Sequence, residues 1–223
     1  MRTALLDLDG TLVDSAALIT EHLAKALATV GTIVPTPEQL RALVGPPFET
    51  ALPELGLTLL QTEAAIMAYR ESYDPVAATE TPLFPGTATL LQRLTRSGIR
   101  LAVATSKPEY LARSITTGTG IHEHFVLVGG TDIAAGRRGK AAVVGSVLER
   151  LGLDPTRDPV VMVGDRHHDV DGAAEHGVPT VGVGWGYAEP GELSGARIVV
   201  PDVDELAAAL EADGVWSTAD HVG

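Results

Sequence analysis

The sequence predicts an α/β fold: a parallel sheet with helices on both faces, and a small all-helical segment inserted after the first strand. Three observations predict it. Strand-sized runs of Val, Leu and Ala alternate with stretches of helical periodicity. Gly98, Gly152 and Gly177 fall where helices should end. Residues 16–81 carry helix signals and no convincing strand.

In chain order, Thr3–Leu6 is the first strand. Ile19, Leu23, Ala26, Leu27 and Val30 then form one amphipathic helical face that Gly31 ends. Thr36-Pro37-Glu38-Gln39 reads as a capping box with proline at the first helical position. Leu59 to Tyr73 gives a third helix. Turn-like Asp14-Ser15 and Pro82-Leu83-Phe84-Pro85-Gly86 bracket the segment. A helical insertion with two chain crossings suits a movable cap, and equally a rigid subdomain that adds core. Further strands are expected at Ile99–Ala104, Phe125–Val128, Val160–Val163, Pro179–Val183 and Arg197–Val200. Pro108 can open a helix after Thr105-Ser106-Lys107. Val143, Val144, Val147, Leu148 and Leu151 mark another helical stripe. The expected division is a core of residues 1–14 and 83–213, a cap of 15–82, and a loose tail of 214–223.

Composition narrows the function. At 223 residues with 45% hydrophobic content, the chain can bury a sizeable aliphatic core. The apolar runs are too short for a membrane span, and the opening segment lacks the apolar core of a signal peptide, so a cytoplasmic protein is expected. The absence of cysteine excludes disulfides, thiolate metal sites and cysteine nucleophiles. A net charge of −13 disfavours nucleic acid and anionic membranes as partners. Any anion-binding site must therefore be locally positive.

The chemistry starts at Asp7-Leu8-Asp9-Gly10-Thr11. At period two, Asp7 and Asp9 face one side of an extended segment, and burying two like charges needs a cation or a shared proton. Their place after a strand puts them at the edge where parallel sheets bind ligands. Alternatively, Asp9 and Thr11 only cap the following turn. A second cluster, Asp165 after Val160–Gly164 and Asp169 four positions on, would converge with the first if the two strands are neighbours. Such oxygen donors suit Mg²⁺. Thr105 and Ser106 stand at another strand end before a helix N-terminus, which favours an anion. Lys140 is the preferred partner cation, with Lys107 the competing choice. His167 and His168 are better read as solvated or supporting residues than as zinc ligands.

"DLDGTLVDS", "VATSKP", Lys140 and "VGDRHHDVDGA" resemble, in order, the motifs of the haloacid dehalogenase superfamily. "VGPP" at Val44–Pro47, "PLFPG" and "VGWGY" are similar to its phosphoglycolate phosphatase-like branch. The resemblance implies a Rossmann-like core with a helical cap, and a phosphatase acting on a small phosphorylated metabolite through an aspartyl-phosphate. It implies Asp7 as nucleophile, Asp9 as acid and base, and Asp9, Gly10, Thr105, Ser106 and Lys140 around the phosphoryl group. It implies Mg²⁺ held by Asp7, the Asp9 carbonyl and Asp165, with Asp169 orienting Lys140 or a water on the metal. A phosphomutase of the same fold is the alternative, and a non-catalytic phosphometabolite-binding protein a further one. A monomer or weak homodimer is expected. The stretch Asp132–Lys140 departs from the family pattern in its extra arginine, leaving the roles of Arg137 and Arg138 open.

Overall fold

The computed structural model describes residues 1–216. Six strands form one parallel sheet: β1 (Thr3–Leu6), β2 (Arg100–Pro108), β3 (Phe125–Thr131), β4 (Val160–Gly164), β5 (Thr180–Val183) and β6 (Ile198–Val200). Their spatial order is β3-β2-β1-β4-β5-β6. The order reverses on either side of β1, and open α/β sheets bind ligands at the carboxyl end of that reversal. Leu6 pairs with Val103 on one side and Val163 on the other. The segments that follow β1, β2 and β4 are thereby brought together.

Four helices occupy the interval after β1: α1 (Ala16–Thr29), α2 (Pro37–Ala42), α3 (Phe48–Glu54) and α4 (Leu59–Glu80). The core helices are α5 (Thr87–Arg96), α6 (Glu109–Gly118), α7 (Gly139–Leu151), α8 (His167–Ala174) and α9 (Val203–Glu211). Both halves of the capping box at Thr36 and Gln39 form. The third expected helix runs on from Tyr73 to Glu80 despite Pro75. Packing outweighs the lost hydrogen bond there: Gly118 of α6 lies so close to the Ala78 carbonyl that a side chain would not fit. The short α3 was absent from the sequence expectation because Pro46, Pro47 and Pro53 mask its periodicity.

The two crossings into and out of the helical layer lie side by side. Asp14 N–H donates to the Pro82 carbonyl at 2.9 Å, and Phe84 N–H to that of Leu12 at 3.1 Å. The expected loose tail is corrected over its first residues. Val215 and Trp216 are buried, and the indole of Trp216 donates to the Leu210 carbonyl at 2.9 Å. The remainder, 217–223, lies outside the described residues. Among the described residues no helix is long and apolar enough to cross a membrane.

Candidate active site

β1 ends at Leu6, and Asp7 through Thr11 form a tight loop at the carboxyl edge of the sheet. Gly10 has φ +85°, and a Cβ there would overlap the Asp165 carboxylate, so only glycine lets the loop lie against that group. Asp165 follows β4 directly and is fully buried. The Thr11 hydroxyl donates to its Oδ1 at 3.1 Å and the Tyr187 N–H to its Oδ2 at 2.8 Å.

The two lysines divide the remaining carboxylates. Lys140 Nζ, near the start of α7, lies 2.8 Å from Asp7 Oδ1 and 2.7 Å from Asp169 Oδ1, and donates to the Ala104 carbonyl at 2.9 Å. Lys107 Nζ lies 3.1 Å from both oxygens of Asp9, while the Ser15 hydroxyl donates to Asp9 Oδ1 at 2.6 Å. Part of the compensation that two buried carboxylates need thus comes from the chain itself. The chain leaves extended geometry after Leu6, and each carboxylate has its own ammonium. Lys107, the competing choice of cation, is buried like Lys140. The available sequence signal was its spacing of two from Thr105, which places it on the same side of an extended chain.

Asp169 is held from two sides. One oxygen accepts from the Arg166 N–H at 3.0 Å, capping α8, and the other faces Lys140. Thr105 is buried, and its hydroxyl accepts from the Lys107 N–H at 3.2 Å. Asp7, Asp9, Thr105 and Ser106 line a cavity of about 700 Å³ between the sheet edge and helices α3 and α4. Arg137, Arg138 and Tyr69 line it too. Gly10 and Lys140 are not in its wall, and Lys140 sits behind Asp7. Arg137 is engaged with Glu109, Asp132 and the Gly130 carbonyl. Arg41 lies over the Tyr187 ring instead of facing the cavity. His167 Nδ1 contacts Glu192 at 2.7 Å, away from the carboxylate cluster. Sequence reading missed Arg166, which pairs with Glu192 and donates to the Val44 carbonyl at 2.6 Å, joining the Asp165 loop to the helical layer.

Asp7, Asp165 and Asp169 each present an oxygen within 4.8 Å of the others. With Asp9 the site holds four carboxylates against two ammonium groups. That balance and an all-oxygen donor set fit a hard divalent cation. Burial, opposed by Lys140 and reinforced by Asp169, pushes Asp7 up to about 6. Burial also holds Asp165 well above the ordinary carboxylate value, with Asp169 and Asp7 adding to it. Burial works against the charge on Lys140, yet Asp169 and Asp7 outweigh it and hold the ammonium above its ordinary value.

These shifts set a pH dependence. With divalent cations chelated, between pH 3.8 and about 6 the unfolded chain ionises Asp7 while the folded chain keeps it protonated. The folded state binds the extra proton, so stability falls as pH rises through that window, by about 3 kcal/mol for Asp7 alone. Urea denaturation with chelator at stepped pH should show this slope, and Asp7→Asn should reduce it. An identical slope in the variant would contradict the assignment.

Comparisons with known proteins point to one family. A model of the haloacid dehalogenase-like hydrolase family matches residues 4–183. Tyrosine-protein kinase PtkA of Mycobacterium tuberculosis is 42% identical over 208 residues, covering 92% of this chain and 70% of that one. Phosphoglycolate phosphatase of Rhodospirillum rubrum is 33% identical over 217 residues, covering 92% and 89%. Among solved structures, a predicted phosphatase from Clostridium acetobutylicum superposes with a TM-score of 0.87 at 31% identity, covering 94% of this chain and 97% of that one.

Proposed function

The chain belongs to the haloacid dehalogenase-like hydrolase family, and on that premise we propose that it is a Mg²⁺-dependent phosphatase of small phosphorylated metabolites. Its enzyme class is phosphoric monoester hydrolase; the metal and the substrate, a phosphoglycolate- or nucleotide-like monoester, are our reading. The observation that carries it is the convergence of Asp7, Asp165 and Asp169, with Lys140 against Asp7 and Asp169, beside a cavity of about 700 Å³. We further take residues 15–82 as a cap over a core of 1–14 and 83–213, closing on the paired crossings at Asp14 and Pro82.

In the proposed reaction an Asp7 oxygen attacks phosphorus in line, and the bond from phosphorus to the ester oxygen breaks. Asp9 gives its proton to that oxygen, releasing the alcohol. Water then attacks the phosphorus of the aspartyl-phosphate and Asp9 takes its proton. The bond to Asp7 breaks, restoring the carboxylate and releasing phosphate. The Thr105 hydroxyl, Ser106 and the N-terminus of α6 bind phosphoryl oxygens. Lys140, held by Asp169, balances charge behind Asp7. Asp7, Asp165 and the Asp9 carbonyl would hold Mg²⁺, which supplies charge neutralisation for the transferring group.

A panel of phosphorylated metabolites, assayed with and without Mg²⁺, tests this reading. Release of phosphate from at least one monoester that stops with chelator is expected, and full activity in excess chelator would remove the metal from the scheme. The kinase relative favours one second reading, transfer to an acceptor other than water. The same assay with an added alcohol or tyrosine acceptor distinguishes the two by where the phosphoryl group ends.

A further inference from the structure

Lys107 has no place in the phosphoryl-transfer scheme above. It stands near the end of β2, 8% exposed, with Nζ equidistant from both Asp9 oxygens. With the Ser15 hydroxyl on Oδ1, Asp9 is restrained from two directions. The ammonium also lies 5.0 Å from the ring centroid of Tyr73, at cation–π distance. Tyr73 is fully buried in α4, stacked on Tyr69 and edge-on to His22. One ammonium therefore touches the catalytic loop on one side and the helical layer on the other.

A proton donor works only within hydrogen-bond reach of the leaving oxygen, and an untethered aspartate samples several rotamers. We propose that Lys107 is a positioning residue that aims the Asp9 carboxylate at the leaving-group oxygen and, through its seat against Tyr73, ties that aim to helix α4. The inference rests on Asp9 being the proton donor.

A misaimed donor matters for a poor leaving group and little for a good one. The test is the ratio of kcat/KM for an alkyl phosphate to that for p-nitrophenyl phosphate, with saturating Mg²⁺. This ratio cancels the folded fraction, so a poorly folding variant still reports. Lys107→Met is expected to lower it by about 10²-fold, and Lys107→Arg to recover part of the loss. Tyr73→Leu should shift it in the same direction by a smaller factor, and an unmoved ratio there would remove the tie to α4. Equal loss on the two esters in Lys107→Met would overturn the proposal, since a purely structural role or a direct hold on the phosphoryl group predicts that. Asp9→Asn is run alongside. If its ratio stays at the wild-type value, Asp9 is not the donor, and that failure is visible separately from any result at Lys107.

Discussion

Asp7→Asn is expected to abolish phosphate release, by a factor on the order of 10⁴ or more, while leaving the protein folded. An amide is neither a nucleophile toward phosphorus nor an anionic ligand. The fold should tolerate it, because the Asp7 carboxylate sits where burial already disfavours its charge. Lys140 keeps its 2.7 Å contact with Asp169. The chelated variant should therefore melt no lower than wild type at pH 7. What it should lose is part of the stabilisation that added Mg²⁺ gives, since one of the clustered carboxylates is gone. Calorimetric melts with and without Mg²⁺, beside the activity assay, check both halves. A variant that keeps a tenth of the wild-type rate, or that is inactive only because it unfolds, would contradict the nucleophile assignment.

Lys140→Met should have the largest effect on stability. Lys140 is 6% exposed and is the cation shared by Asp7 and Asp169. Removing one member of a buried ion pair typically costs about 3–5 kcal/mol, because the partner charges remain in low dielectric. The loss should be greatest above pH 6, where Asp7 is ionised, and smaller at pH 5, where it carries its proton. Mg²⁺ should restore part of the stability by supplying the missing positive charge. Activity should fall by about 10²–10³-fold even when the variant is folded with saturating metal. Urea denaturation at pH 5 and pH 8, with chelator and with Mg²⁺, is the check. A loss independent of both pH and metal would mean that Lys140 matters only as packing.

Much of the fold is legible in local pattern. β1, β4 and β5 are short, largely aliphatic runs buried on both faces, and their starts and ends fall within a few residues of expectation. β2 runs four residues beyond Ala104, across an irregularity at Thr105-Ser106-Lys107, until Pro108 pairs with Thr131 of β3; those polar residues carry no strand signal of their own. Proline explains the misread helices: it hides α3, and Pro75 makes the expected third helix stop short of where α4 ends. At the site, the residue types and their order along the chain suffice to bring Asp7, Asp165, Asp169 and Lys140 together. The pairing of charges is not local. Whether Asp9 meets Lys107 or Lys140 depends on where the chain turns after Leu6 and on the seat of Lys107 against Tyr73 of α4, and neither leaves a mark at Asp9 itself. The Arg166 contact with Val44 spans two parts of the chain far apart in sequence and has no motif.

The proposed reaction passes through a covalent phosphoryl group on Asp7. Its most direct measurement mixes Asp9→Asn protein with p-nitrophenyl phosphate and Mg²⁺, quenches with acid, and maps the modified peptide by mass spectrometry. The good leaving group lets the first step proceed without the Asp9 proton, and the missing base slows hydrolysis of the intermediate. The expected result is one added phosphoryl mass on the peptide that contains Asp7, labile to hydroxylamine and absent from the doubly substituted Asp7→Asn, Asp9→Asn protein. Release of p-nitrophenol with no covalent phosphate at any time point, or a phosphoryl group on a residue other than Asp7, would contradict it.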